Sequence, residues 1–148
     1  MDEWSILNRV NKSWDDCGKC SKFVGAFMVE TIRQALLNNG IPVSTRDVFI
    51  RKIPIEFNLI VPRHGAPDPV HGIIYEPEDV VAVLEIKASG LFGYNLIDRI
   101  EYCRAEVHKY NLNIFCGYVA LSERRTFLKK TSAKISRNGF LHCFGTNK

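Results

Sequence analysis

The run Val80-Val81-Ala82-Val83-Leu84-Glu85-Ile86-Lys87 limits the fold of this chain more than any other stretch. Residues 79–87 read as a β-strand. Its apolar residues are nearly continuous rather than alternating, the pattern of a strand covered on both faces, so the fold class is α/β. Side chains alternate along a strand, so Glu85 and Lys87 share a face with Val81 and Val83. A carboxylate and an ammonium at the end of a buried run cost several kcal/mol per ion, on the order given by desolvation, if left unpaired. Two readings meet that cost. One is an ordinary ion pair at the strand's mouth. The other is a site in which Glu85 holds a cation and Lys87 positions a nucleophilic water or neutralises developing charge.

The pattern around this strand is that of a mixed sheet flanked by helices. Residues 1–22 are polar, with two tryptophans, and predict a short helix or an irregular lead-in. Residues 23–39 predict a helix with a broad apolar face, stopped by Asn38-Asn39-Gly40 and kept stopped by Pro42. Strands follow over 43–52 and 55–61, divided at Ile53-Pro54. Residues 63–78 form a long proline-rich connection, with a short extended piece at Ile73-Ile74-Tyr75; connections of this length are often functional. Beyond residue 87, Ser89, Gly90 and Gly93 make a junction. A helix over 94–110 then carries Leu96, Ile100, Cys103, Val107 and Tyr110 at steps of four and three. Residues 113–121 predict a buried strand, and 139–144 a short final one. The order is αβββαβ with a last strand.

With 148 residues, 46% hydrophobic and 24% charged, the chain is expected to be one domain over 1–148, with its core at about 23–121. That balance excludes disorder and fibrous repeats. Apolar runs fall well short of the ~18 residues that span a bilayer, so no membrane partner is expected. The opening Met1-Asp2-Glu3-Trp4 shows no secretory pattern, and five cysteines at irregular spacings read as reduced thiols; a cytoplasmic location is expected. The net charge of +4 is unevenly spread. Residues 121–148 hold Arg124, Arg125, Lys129, Lys130, Lys134, Arg137 and Lys148 against Glu123 alone, whereas residues 1–120 are slightly acidic. A cationic end on a near-neutral body suits a polyanionic partner, and a solvated tail is the plain alternative.

The second predicted strand carries Glu56 and Asn58 on one face and apolar residues on the other. Asn is disfavoured in mid-strand. If this strand pairs with 79–87, Asn58 faces Glu85 and Lys87 across the ladder, and three polar groups converge at one end of a buried sheet. The arrangement resembles the PD-(D/E)XK, or restriction-endonuclease-like, nuclease superfamily. That family's pattern has an acid on the first helix, an Asp in the second strand and (D/E)-x-K in the third, followed by a helix and a strand. Glu30 falls on the first helix, Asn58 stands where the Asp is expected, and Glu85-Ile86-Lys87 supplies the third element. The 26 residues between Asn58 and Glu85 accommodate the long connection.

The resemblance implies a restriction-endonuclease-like core and metal-dependent hydrolysis of phosphodiester bonds in DNA. Glu30, position 58, Glu85 and the main-chain carbonyl of Ile86 would hold Mg²⁺, with Mn²⁺ able to substitute. Lys87 would serve the attacking water or the charge that develops on phosphorus. Arg124, Arg125, Lys129 and Lys130, with Arg99 and Arg104 on the second helix, are the candidate phosphate contacts. Cutting both strands calls for two sites, a need that a homodimer meets by symmetry.

Asn58 departs from the family pattern because an amide brings no negative charge. Three explanations stand: an Asp→Asn substitution made to trap an uncleaved complex, a naturally inactive nucleic-acid-binding module, or takeover by Glu56. The intact Glu85-x-Lys87 favours the first. As written, this chain is expected to cut weakly or not at all. Other motifs point elsewhere with less force. Cys17-Gly18-Lys19-Cys20 has the spacing of half a zinc site, but a second pair at ligand spacing is missing, since His142-Cys143 is consecutive, and two unrelated reduced thiols are the default reading. His64, Asp68 and His71 in the long connection read as solvated loop residues.

Overall fold

The computed structural model describes residues 8, 9, 12, 16, 21–87, 95–122 and 141–145. Helix α1 (Ser21–Asn38) is followed by strands β1 (Val48–Ile50), β2 (Glu56–Phe57), β3 (Leu59–Pro62) and β4 (Ile74–Tyr75). A 3₁₀ turn (Pro77–Asp79) leads into β5 (Val80–Lys87), then helix α2 (Asn95–His108), β6 (Phe115–Ser122) and β7 (Leu141–Gly145). The mixed α/β class holds, with more strands between the two helices than the predicted three. The junction at Ser89, Gly90 and Gly93 lies outside the described residues, as do the cysteines of the CxxC motif.

Helix α1 ends as its sequence requires. Gly40 adopts φ 74, while the amides of Gly40 and Ile41 donate to the carbonyls of Leu37 and Leu36 at 2.9 and 3.0 Å. These two bonds satisfy carbonyls that the helix end would otherwise leave open.

The strands form two sheets. The larger has the order β3-β5-β6-β7, with β3 antiparallel to β5 and β5, β6 and β7 mutually parallel. The smaller has the order β2-β1-β4. The stretch predicted as one strand over 55–61 is in fact two. Residues Glu56 and Phe57 pair with β1, Leu59–Pro62 pair with β5, and Asn58 is the bend between them. The strand predicted over 43–52 is only Val48–Ile50. Ser44 explains part of that shortfall. Its amide donates to the Ile60 carbonyl, and its Oγ accepts from the Ile60 amide, both at 2.8 Å. Residue 44 thus lines the outer edge of β3 without belonging to β1.

The long connection is built rather than loose. It contributes β4 to the smaller sheet, and its ends are tied by Arg63, which donates through its amide to the Asp79 carbonyl and through Nη2 to Asp79 Oδ1 at 2.7 and 2.8 Å. His64, Asp68 and His71 on it are exposed.

Core residues lie on both faces of β5, as its apolar run demanded. Val83 packs with Phe57, Ile60, Val107, Ile114 and Cys116, whereas Ile86 packs with Leu59 and with Val24, Met28, Val29 and Ile32 of α1. Among the described residues no helix is long and apolar enough to cross a membrane.

Candidate active site

The bend at Asn58 creates the site. The β3–β5 register pairs Leu59 with Leu84 and Ile60 with Val83, and extending it by one step sets Asn58 opposite Glu85. One step further, Ile86 would face Phe57, but Phe57 has left to pair with Val48 in the smaller sheet. The Ile86 amide therefore donates to a side chain, Asn58 Oδ1, at 2.7 Å. In an extended residue the N–H and C=O point the same way, so the Ile86 carbonyl faces the same fork. The donor also settles which way the amide is turned. Only its oxygen can accept the Ile86 hydrogen, so Nδ2 is the atom left for other contacts.

Ile86 sends its side chain toward α1, so Glu85 and Lys87 lie on the other face of β5. The Glu85 charge acts on the Cys103 thiol of α2, in keeping with that placement. Lys87 Nζ lies 2.5 Å from Glu85 Oε1, with the two side chains 38% and 22% exposed. A half-exposed pair of this kind contributes little stability, about 0–1 kcal/mol. It does fix where both charges sit.

Three of the predicted residues are therefore brought together: Asn58, Glu85 and Lys87, with the main chain of Ile86 between them. Glu30 is placed differently. It sits on α1, which covers the Ile86 face, and its Oε1 accepts from Arg33 Nη1 at 3.1 Å and Gln34 Nε2 at 2.8 Å. Arg33 Nε in turn donates to the Ser44 carbonyl at 2.8 Å. Glu56 is exposed on β2 in the smaller sheet, opposite Phe49. The bend thus puts Glu56 in a different sheet from the strand that follows Asn58. Arg99 is exposed and Arg104 half-buried on α2, each close enough to lower the pKa of a thiol of this layer, Cys103 and Cys116 respectively. Arg124, Arg125, Lys129 and Lys130 lie outside the described residues.

The oxygens at the fork suit a hard divalent cation: a carboxylate from Glu85 and a peptide carbonyl from Ile86. Among the described residues, however, no three His, Cys, Asp or Glu side chains gather where they could hold a metal. An acid at position 58 would be a second beside Glu85, and the amide oxygen now there already serves the Ile86 hydrogen. Sequence reasoning did not single out Ser44 or Arg33, which tie α1 to the edge of β3; a buried serine before a strand leaves no pattern to read.

No family model matches the chain, and no curated protein matches it. Among solved structures it is similar to NucC of P. aeruginosa ATCC27853 in its cAAA-bound form. The TM-score is 0.70 at 14% identity, over 92% of this chain and 68% of that one. NucC of E. coli MS115-1 in its apo form matches with a TM-score of 0.46 at 15% identity, over 81% of this chain and 62% of that one. The first likeness speaks for the fold, a restriction-endonuclease-like mixed α/β arrangement.

Proposed function

We propose that this chain is a metal-dependent endonuclease acting on DNA, weakened by Asn58, with its site at the Asn58–Glu85–Ile86–Lys87 fork. The observation that carries this reading is the bend at residue 58. It turns one side chain onto the end of a central strand that bears a carboxylate, a carbonyl and an ammonium group. Glu85 and the Ile86 carbonyl would hold Mg²⁺ or Mn²⁺, and an Asp at 58 would complete the set while still accepting the Ile86 hydrogen. When bound, the ion supplies positive charge on the scissile phosphate and acidifies a water. Lys87 donates hydrogen bonds toward the attacking water or the phosphoryl oxygens as their charge grows. Arg99, Arg104 and the basic residues Arg124, Arg125, Lys129 and Lys130 would neutralise phosphates along the duplex, and a second copy would serve the other strand.

The neutral amide at 58 favours a second reading of the same fold: a nucleic-acid-binding module that does not cut. One substitution separates the two. Asn58→Asp, assayed on duplex DNA with Mg²⁺ or Mn²⁺, is expected to cleave far faster than the parent chain. Tight, salt-sensitive DNA binding by both proteins with no cleavage by either would establish the module instead.

A further inference from the structure

We propose that Tyr110 and Leu112, with the ammonium groups of Lys52 and Lys109, form a second nucleic-acid contact, apart from the fork, that takes an unpaired stretch of strand. The inference rests on the nucleic-acid partner that both readings of the fork share, and adds to it a place and a preference for single strands. Its first ground is the backbone at Lys52. The Ile53 amide donates to the Ile50 carbonyl at 3.0 Å, closing a turn whose third residue, Lys52, has φ 67. A turn of this form favours glycine at that place. Asp47 and His71 also have positive φ, at 58 and 53, but Asp and His enter the left-handed region more readily than lysine does. A strained residue in a folded chain points to a use for its side chain.

The surroundings of Lys52 supply that use. The Tyr110 hydroxyl, just past the end of α2, donates to the Lys52 carbonyl at 3.4 Å, so ring and turn lie side by side. Tyr110 is 47% exposed, and Leu112 is 78% exposed, more than any other large apolar side chain among the described residues. Lys109 stands next to them, paired with Glu106 one turn back. Glu106 does most to raise the Lys109 pKa, and Tyr102 and Tyr110 are near enough to add to it. Arg51, beside Lys52, is likewise taken up by Glu76. The acids at this place are thus matched by cations, and Lys52 is left as the surplus positive charge among the described residues. Asp98 and Glu101, exposed nearer the start of α2, bound the patch on that side. An exposed ring with an apolar neighbour and a free ammonium at its rim suits a base that has left its stack, with the phosphate at Lys52. A duplex keeps its bases stacked inside and offers the ring no face.

The test follows the fluorescence anisotropy of labelled single-stranded oligo(dT) and of a labelled duplex, in chelator and over a range of salt, using the full chain. Single-strand binding is expected in the parent. Tyr110→Ala should weaken it about tenfold, whereas Tyr110→Phe, which keeps the ring, should hold it. Lys52→Gly should lower the slope of log affinity against log salt by about 0.7, the share of one phosphate contact on a single strand. The same change should raise the urea midpoint, because glycine takes the turn without strain. Parental affinity in Tyr110→Ala would overturn the patch, as would a parental salt slope or a lowered urea midpoint in Lys52→Gly. A parent that holds duplex but not single strands also overturns it, and leaves the fork reading standing. Single-strand binding that depends on Tyr110, without duplex binding, supports the patch and counts against the fork as a duplex site. Self-association in sedimentation that Leu112→Ser abolishes would assign the face to a second copy and overturn the proposal.

Discussion

Asn58 Oδ1 takes the amide hydrogen of Ile86 at 2.7 Å, and by this bond a side chain does the work of the strand that has just turned away. The Ile86 side chain is buried against α1, so its amide has few other places to go. Any residue at 58 must therefore offer an acceptor at the end of a short side chain.

Substitutions at 58 should sort by that requirement. Asn58→Asp keeps an oxygen facing Ile86 and is expected to change stability by less than about 1 kcal/mol, with Glu85 close by as a like charge. Asn58→Leu leaves a buried amide without a partner and should cost about 1–3 kcal/mol. Urea unfolding of the three proteins measures both; a leucine variant as stable as the parent would mean that the bond is dispensable.

Ser44 carries a similar duty on the far side of β3. It is 3% exposed, and the Ile60 amide it serves belongs to a fully buried residue. Ser44→Ala removes the acceptor and should destabilise by about 1–3 kcal/mol. Glu30→Gln should be nearly silent, within about 0.5–1 kcal/mol, because a half-exposed helix pair contributes little. The contrast between these variants, read from urea midpoints, tests whether Arg33 and Ser44 matter for the backbone they hold or for the charge they meet.

How far these features were legible depended on their scale. Residues 23–39 and 94–110 were readable as helices because a 3.6-residue apolar period survives over four turns, and the structure gives Ser21–Asn38 and Asn95–His108. The buried strands over 79–87 and 113–121 were readable from continuous apolar runs, and they appear as Val80–Lys87 and Phe115–Ser122. The division of 55–61 between two sheets was not. Alternation reports which face a residue takes, never which strand it pairs with, and Glu56 and Leu59 alternate just as they would in one strand. Asn58 was the visible trace, since a residue that breaks strand propensity in mid-run marks a bend as readily as a ligand. The convergence of Asn58 on Glu85-Ile86-Lys87 was legible for the same reason. The placement of Glu30 depended on which face of β5 helix α1 covers, and no spacing encodes that.

Gly117 marks a close approach in the larger sheet that leaves no room for a side chain. It is buried opposite Leu84, and a Cβ there would lie 2.5 Å from Leu84 Cδ2 and 3.2 Å from Phe115 Cε1. Leu84 is the end of a flexible side chain and can move, at the expense of the packing beneath α1. Gly117→Ala should therefore destabilise by about 1–3 kcal/mol, the usual cost of overpacking. The double variant Gly117→Ala/Leu84→Ala should lose less than the sum of its single changes, since the second removes the atom that the first strikes. Additive losses would place the clash elsewhere.

The thiols of Cys103 and Cys116 give the fold a dependence on alkaline pH. Burial is the main cause that pushes Cys103 up to about 12, helped by Cys116 and Glu85 and opposed by Arg99; burial likewise pushes Cys116 up to about 11, opposed by Arg104. The ordinary value is 9.0, so above it the unfolded chain has released protons that the folded chain still holds. Stability from these groups is complete below pH 9.0 and declines as pH rises toward 11 and 12. Replacing both, as Cys103→Ala and Cys116→Val, should flatten the fall in urea midpoint between about pH 9 and pH 11, whatever it does to the midpoint itself. In the parent chain, peptide-mapped alkylation at about pH 8 should find both thiols slow to react, because the thiolate is the nucleophile and burial suppresses it. Rapid labelling of either, or unchanged alkaline slopes in the double variant, would show that these sulfurs are more open than the packing of α2 on β6 implies.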